Sequence, residues 1–165
     1  MRAITIPKFG DYNVLSLQEL PVPEPGPSDV TIDVAYAGVN YAEVLFRKGV
    51  VPDLPLPFVP GIEVSGTIRA VGEHVSGLRV GQPVAALTIV DGGGYAEVVK
   101  VPHTLVFPLD TEEGSSLDLA AAAAFPSNAT TAYMIMTEVA KMRQGETVLV
   151  HAAAGGVGSV IGQMA

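Results

Sequence analysis

The sequence predicts a mostly β fold with α-helices: a barrel or sandwich of short strands, two connecting helices, and then a strand, a glycine-rich turn and a helix. Three observations support this. Short apolar or alternating stretches with regular glycine and proline punctuation extend over residues 1–108. An alanine-rich stretch that favours helix begins at residue 117. The glycines of residues 155–158 lie between β-branched residues and an amphipathic stretch.

The first half of the chain contains four stretches typical of strands. Residues 2–6 and 15–20 predict two strands around a turn. Apolar and polar residues alternate over residues 29–39, which predicts a half-buried antiparallel strand. Residues 62–72 predict another strand, and the glycine at position 66 within it indicates a bulge or a close backbone approach.

A turn and a strand are predicted over residues 80–87 and a further strand over residues 95–101, with Gly92–Gly94 as a hairpin loop between the strands. A short helix is predicted over residues 41–48. Its basic residues lie in the last turn and Gly49 provides the stop.

The character of the sequence changes after the last of these strands. Residues 117–125 favour helix, Pro126 interrupts it, and residues 129–142 predict a second helix. We therefore place a domain boundary within residues 118–129. The predicted domains are residues 1–124 and residues 125–165.

The glycine-rich turn carries a motif with a physical mechanism. Residues 147–151 predict a buried strand of a parallel sheet, and Ala153, Gly155 and Gly158 then match the dinucleotide fingerprint with its first glycine replaced by alanine. A glycine at position 155 lets the backbone approach a pyrophosphate, and Gly158 allows the helix to pack on the strand. The helix N-terminus would face the phosphates. The alternative is a tight strand-to-helix turn without a ligand.

A complete dinucleotide site needs a second strand and a residue about 20 positions beyond the glycines that reads the ribose. The sequence ends at Ala165, inside the first crossover helix. We therefore expect the chain to be the first portion of a longer protein. The apolar faces of residues 147–151 and 157–164 should then be exposed, with association or disorder of these residues.

Composition excludes several classes of function. The net charge is −8 and the nine Lys and Arg residues are scattered, which disfavours nucleic acid and anionic membranes as partners. No apolar run reaches about 18 residues, so we expect no membrane span and a cytoplasmic protein. The absence of cysteine excludes disulfides, thiolate catalysis and cysteine-bearing zinc sites. The three histidines lack the spacing of a metal motif.

Several motifs occur together in one consistent order. They are Pro60–Gly72, Gly81–Val84, Gly93–Glu97, Thr131–Tyr133 and Ala152–Gly158. In this order they resemble the medium-chain dehydrogenase/reductase superfamily, and within it the zinc-free, zeta-crystallin-like quinone oxidoreductase branch. The resemblance implies that residues 1–124 are a GroES-like β-barrel on the substrate side and that residues 125–165 begin a dinucleotide-binding Rossmann fold. It also implies NADPH bound in the cleft between them, and a homodimer.

The resemblance also indicates whether the protein binds a catalytic zinc ion. Zinc-dependent members carry a cysteine at the position matched by Asn40 and a histidine at that matched by Ile62, and both ligands are missing here. The resemblance therefore implies a zinc-independent oxidoreductase, in which hydride passes from the nicotinamide to the electron-poor carbon of a quinone or an α,β-unsaturated carbonyl. Glu63, retained next to the lost histidine, is expected to pair structurally.

Two residues are candidates for catalysis. Asn40 is expected near the nicotinamide, with the N-cap of the helix as its alternative or additional role. Tyr41 is a candidate hydrogen-bond donor or pocket wall, with a buried aromatic as the alternative. Thr131 resembles the family threonine that approaches the nicotinamide, and its alternative is a helix residue bonding its own backbone. The predicted cofactor-binding residues are Asn40, Thr131, Ala153, Gly155, Gly156, Val157 and Gly158.

One stretch departs from the pattern of the branch. Residues 45–49 read Leu-Phe-Arg-Lys-Gly where quinone reductases often have Tyr-Ile-Arg-Ser-Gly, so the tyrosine is absent. Three functions stay open at this point. They are an NADPH-dependent quinone or enone reductase, an enoyl reductase module of a polyketide or fatty-acid system, and a non-enzymatic GroES-like domain that binds a partner or ligand.

Overall fold

Strands dominate the computed structural model, which describes residues 1–110 and 118–165. The strands of this part of the chain are β1 (Arg2–Thr5), β2 (Ser16–Glu19), β3 (Asp29–Ala37), β4 (Glu63–Val71), β5 (Pro83–Leu87), β6 (Val98–Pro102) and β7 (Val106–Pro108). Its α-helices are α1 (Tyr41–Lys48), α2 (Leu119–Ala122), α3 (Asn128–Met134) and α4 (Gly156–Met164). A π-helix, Ile135–Val139, continues α3.

The strands form two antiparallel sheets. Strands β1 and β2 pair with each other, as the sequence predicts. The other five lie in the order β6-β3-β4-β5-β7. Among the described residues the strand pairing does not close into a barrel, because β6 and β7 remain at the two edges. The small sheet approaches the larger one through a bridge between Ala3 and Ala96.

The predicted hairpin at Gly92–Gly94 is wrong, because β5 does not pair with the strand that follows it. β5 lies between β4 and β7, and β6 crosses to the far side of β3. The glycines make this crossover possible. Gly92 and Gly93 have φ angles of 70° and 97°, and the N–H of Gly93 donates to Val59 O at 2.8 Å.

The core lies on one face of the five-stranded sheet. Its buried members are aliphatic residues of the five strands: Val30, Ile32, Val64, Ile68, Val84, Ala86, Val99, Val101 and Val106. The expected close approach at Gly66 is confirmed, because a Cβ there would collide with the carbonyl oxygen of Asp33 on β3. The register between β3 and β4 shifts beside it, between Val34 and Tyr36. A residue with a side chain would push these strands apart.

The helices agree with prediction to different degrees. Helix α1 is confirmed at residues 41–48, and Gly49 ends it with a φ of 70°. The helix predicted over 117–125 is only four residues long, and Leu117 lies outside the described residues. The second predicted helix extends through the π-helix to Val139, and Lys141, with a φ of 51°, is incompatible with its continuation to residue 142.

The buried strand predicted over residues 147–151 is wrong for this structure. The segment has no strand pairing in the described part of the chain, and a strand forms only where a neighbour accepts and donates its ladder hydrogen bonds. Val148 and Val150 are half-buried against α3 and α4, whereas Leu149 between them is 83% exposed. The expected exposure of an apolar face is therefore present at Leu149.

A separate apolar cluster joins α3, the π-helix and α4. Ala132, Met136 and Ile161 are its buried members. Helix α2 instead packs against the large sheet through Ala122 and Ala85. In the described residues no helix has the length and apolar character needed to cross a bilayer.

Candidate functional site

A cluster of buried and half-buried polar side chains lies where β3, β4, α1 and α3 meet. Asn40 follows β3 and is the N-cap residue of α1, in an extended conformation with φ −117° and ψ 163°. Its backbone N–H donates to Glu43 Oε2 at 2.9 Å, which stabilises the first turn. The Asn40 side chain points to Glu63, where Nδ2 donates to Oε1 at 2.8 Å. The helix-start role and the buried contact therefore coexist at Asn40.

Glu63, the first residue of β4, is the centre of this cluster. It is only 1% exposed. Its carboxylate accepts hydrogen bonds from Asn40 Nδ2, from the backbone N–H of Ser127 at 2.8 Å and from Asn128 Nδ2 at 3.3 Å. Two segments far apart in sequence therefore share one buried carboxylate, which is the structural pairing expected for this residue.

Asn128, at the start of α3, connects the cluster to the glycine-rich turn. Its Nδ2 donates to Asn40 Oδ1 at 3.1 Å as well as to Glu63. A carboxylate only accepts hydrogen bonds, so the amide nitrogens of both asparagines must face Glu63. The Asn128 amide also lies against Gly156 on α4, where a Cβ would collide with Asn128 Oδ1.

A second buried carboxyl group, Glu43, lies beneath the cluster on α1. Its Oε1 accepts from the backbone N–H of Ile62 at 3.2 Å. Burial raises the pKa of the Glu43 carboxyl above its ordinary value, and the charge of Glu63 adds to the shift. Burial, with smaller contributions from the same two carboxyl groups, raises the pKa of Tyr95 to about 12. The Tyr95 hydroxyl is buried and has no hydrogen-bond partner among the described residues.

The glycine-rich turn leads into α4. Gly155 is the N-cap residue, with φ −80° and ψ 173°, and no side chain caps the helix. A Cβ on Gly158 would collide with the carbonyl oxygen of Ala152, so the helix packs directly on the turn. Gly155 and Gly156 are exposed. This open backbone cradle with uncapped N–H groups fits a pyrophosphate, the part of a dinucleotide that such a turn binds.

A cavity of about 520 Å³ lies beside this turn. Its walls come from the π-helix, from the extended segment before the turn and from the first half of α4, and they include Met136, Val148, His151 and Val157. Most of these residues are apolar, whereas the Asn40 cluster is polar. The glycine-rich turn therefore lies between an apolar cavity and a buried polar network.

The structure brings some of the predicted site residues together and not others. Asn40 contacts Asn128, which in turn contacts Gly156 of the predicted cofactor-binding turn. Tyr41 is 71% exposed, so the alternative of a buried aromatic is wrong. Thr131 is exposed on α3, and its backbone N–H donates to Ser127 O in the ordinary helical manner. Ala153 is exposed and Val157 is half-buried against the helical cluster.

Sequence reasoning missed three members of the cluster: Glu43, Ser127 and Asn128. The sequence does contain a signal for Ser127 and Asn128, because a Ser-Asn pair directly after Pro126 is typical of a helix start. Nothing in the local sequence indicates that Asn128 meets Glu63, since that contact depends on the approach of α3 to β4. Glu43 lies three residues after Asn40, the spacing of a capping box.

The chain is similar to several known proteins. Quinone oxidoreductase of Lama guanicoe is 40% identical over 167 aligned positions, which cover 100% of this chain and 49% of the relative. The crystal structure of human synaptic vesicle membrane protein VAT-1 homolog-like protein has a TM-score of 0.92 and 38% identity, and covers 99% of this chain and 52% of that one.

The Escherichia coli quinone oxidoreductase complexed with NADPH superposes with a TM-score of 0.91 at 26% identity, over 99% of this chain and 49% of that structure. The chain thus spans about half the length of each of these three proteins.

A match to a protein-family model assigns the chain to a family. The model described as the alcohol dehydrogenase GroES-like domain matches residues 26–111, just over half of the chain. This range includes β3–β7 and α1, and with them Asn40, Glu43 and Glu63. The chain therefore belongs to the alcohol dehydrogenase GroES-like domain family, within the medium-chain dehydrogenase/reductase superfamily that its motifs resemble.

Proposed function

We propose that the protein containing this chain is an oxidoreductase that uses NADPH to reduce a quinone or an α,β-unsaturated carbonyl compound, without zinc. One observation carries the proposal: an unbroken series of contacts joins Asn40, Glu63, Asn128 and Gly156. It brings the predicted substrate-side asparagine next to the predicted nucleotide-binding turn. The named quinone oxidoreductases among the relatives, one of them complexed with NADPH, support the same chemistry.

The glycine-rich turn is the proposed binding site for the pyrophosphate. Gly155 and Gly156 are exposed and have no side chains of their own, and the uncapped first turn of α4 favours negative charge. Ala153 and Val157 flank the glycines, and Gly158 holds the helix against the turn. Thr131 is proposed to approach the nicotinamide end, because its side chain is exposed on α3, the helix that packs on α4.

Asn40 is the proposed polarising residue. One hydrogen of its Nδ2 is held by Glu63, which leaves the other available to donate to a carbonyl oxygen of the acceptor. The buried carboxylate fixes the amide orientation and strengthens this donor. Tyr41, at the start of α1 and exposed, is proposed as a second donor or as a wall of the acceptor site. Bound NADPH would supply the hydride, and the chain supplies orientation.

The division into a substrate-side domain, residues 1–124, and the start of a dinucleotide-binding domain, residues 125–165, belongs to this proposal. It is supported by the separate apolar clusters: α2 packs on the sheet, whereas α3 and α4 pack on each other. A homodimer is also proposed, on the family resemblance alone. Light scattering of the full-length protein tests it by mass.

The test of function is a turnover assay on the full-length protein. We expect NADPH oxidation, followed by nicotinamide absorbance, with at least one of several quinones and enones. Asn40→Ala should lower kcat by about 10²-fold, as loss of an oxyanion donor does, whereas Asn13→Ala, an exposed position outside the cluster, should not change it. Absence of turnover with every acceptor, together with absence of NADPH binding, would contradict the proposal.

A further inference from the structure

Both the nitrogen and the oxygen of the Asn128 side-chain amide are held by contacts with neighbouring residues. Its Nδ2 donates to Asn40 Oδ1 and to Glu63 Oε1, so both amide hydrogens are used. Its Oδ1 is packed against Gly156 so closely that a methyl group on Gly156 would displace it. The side chain therefore cannot rotate without breaking either the hydrogen bonds on one side or the contact on the other.

We propose that Asn128 is a positioning residue that couples the occupancy of the glycine-rich turn to the orientation of Asn40. The inference rests on the proposed function, since the turn is taken to bind the pyrophosphate of a dinucleotide. A ligand that orders the first turn of α4 fixes Gly156. Gly156 then fixes Asn128, and Asn128 holds Asn40 through a direct hydrogen bond and through their common acceptor, Glu63.

The geometry gives this coupling a sharp physical basis. Asn40 and Asn128 both donate to the same oxygen, Glu63 Oε1, at 2.8 and 3.3 Å. A shift of one donor changes the electrostatic environment of the other, because both share a buried charge. Coupling of this kind is reciprocal, so Asn40 must also influence the affinity of the turn for its ligand.

Reciprocity provides a test that does not depend on turnover. The probe is 2′-phospho-ADP, which carries the adenosine, the 2′-phosphate and the pyrophosphate of NADPH but lacks both the nicotinamide and its ribose, so it does not extend to the nicotinamide end. Its affinity for the full-length protein is measured by calorimetry. Asn40→Ala should weaken binding of this probe about fivefold, although Asn40 does not contact it. In an Asn128→Ala background, Asn40→Ala should have no further effect.

Thr130→Ala is the matched control for the second mutation, because Thr130 is exposed on the same helix and takes no part in the cluster. In the Thr130→Ala background, the effect of Asn40→Ala should persist in full. Equal effects of Asn40→Ala in the wild-type and Asn128→Ala backgrounds would overturn the proposal while leaving the proposed function standing.

A second pair of variants tests the contact itself. Gly156→Ala should weaken probe binding and lower the melting temperature, because its Cβ displaces Asn128. Asn128→Ala removes the obstacle, so the double variant should be no worse than Asn128→Ala alone. Additive losses in the double variant would overturn the proposal. If the wild-type protein binds neither NADPH nor the probe, the proposed function fails, and additive or non-additive melting temperatures still decide whether the contact couples the two residues.

Discussion

Asn128 Nδ2 donates a hydrogen bond to Glu63 Oε1 at 3.3 Å, across a separation of 65 residues in the sequence. Asn128 belongs to the helical part of the chain that packs on the glycine-rich turn, and Glu63 is the first residue of β4, a central strand of the sheet. A single buried carboxylate therefore fastens the GroES-like domain to the segment that follows it. Removal of the Glu63 carboxylate should therefore lower the stability of the folded protein.

Glu63→Ala is expected to lower the free energy of unfolding by about 3 kcal/mol, because it leaves donors on the half-buried Asn40, Ser127 and Asn128 without an acceptor. Glu63→Gln keeps one acceptor oxygen and should cost less. Urea denaturation measures both. Glu73→Gln is the control, since Glu73 is exposed. A loss below about 0.5 kcal/mol in Glu63→Ala would show that the three donors find other partners.

The raised pKa of Glu43 predicts a pH dependence of stability. From the ordinary value of 4.5 up to the raised pKa, the folded protein binds more protons at Glu43 than the unfolded chain does. The free energy of unfolding should therefore fall as pH rises through this window, and the contribution of Glu43 is fully present only below it. Denaturant titrations at several pH values measure the slope.

Glu43→Gln should abolish this slope, because the variant side chain does not titrate. Glu97→Gln serves as the control. Hydrogen bonds from Arg2 lower the pKa of the exposed Glu97 carboxyl, so its contribution to stability changes only below pH 4.5 and has the opposite sign. An unchanged slope in Glu43→Gln would assign the pH dependence to another group.

Substitution by alanine should have opposite effects on stability at two glycines of α4, Gly158 and Gly162. Gly158→Ala should destabilise the protein by about 2 kcal/mol, because the new Cβ meets the backbone carbonyl of Ala152, which cannot move aside like a flexible side chain. Gly162→Ala should stabilise it by about 0.5–1 kcal/mol, because the helix position is open and alanine restricts the unfolded chain.

Thermal unfolding measures both glycine variants in the same protein. Gly158→Ala should also weaken NADPH binding, since it distorts the turn, whereas Gly162→Ala should leave the affinity unchanged. Similar melting temperatures for the two variants would contradict the close packing of α4 on the turn.

Tyr95→Phe is expected to raise the free energy of unfolding by about 1 kcal/mol, because the tyrosine hydroxyl is buried without a hydrogen-bond partner among the described residues. The change keeps the ring and removes the unpaired polar atom. Urea denaturation measures it, with the exposed Tyr133→Phe as the control. A loss of stability would instead indicate that the hydroxyl binds a buried water molecule.

The strands and the first helix could be predicted because their signals are local. Alternation over residues 29–39 and the basic last turn before Gly49 appear in the structure almost as the sequence indicates. The pairing of β6 with β3 could not be predicted in this way, because a glycine-rich loop is compatible with a hairpin and with a crossover. Only the contact of that loop with residues 59–61 decides between them.

The candidate site could be predicted only in part, because some of its residues have local sequence signals and others depend on long-range contacts. Asn40 could be predicted because it occupies the family position between β3 and α1, and the glycines could be predicted because they match the dinucleotide fingerprint. Asn128 does not, since its role depends on where α3 lies relative to β4 and α4. Residues 147–151 have the composition of a buried strand, but the ladder that would make them one requires a neighbouring strand, which the described residues do not supply.

The crossover from β5 to β6 also determines when the sheet can form during synthesis. Asp29 of β3 pairs with Pro102 of β6, so this side of the sheet stays open until more than 70 further residues have left the ribosome. Such long sequence separations raise the contact order and slow folding. At about 5–20 residues per second, the nascent chain carries an unpaired β3 edge for several seconds, the interval in which chaperones or neighbouring chains can reach it.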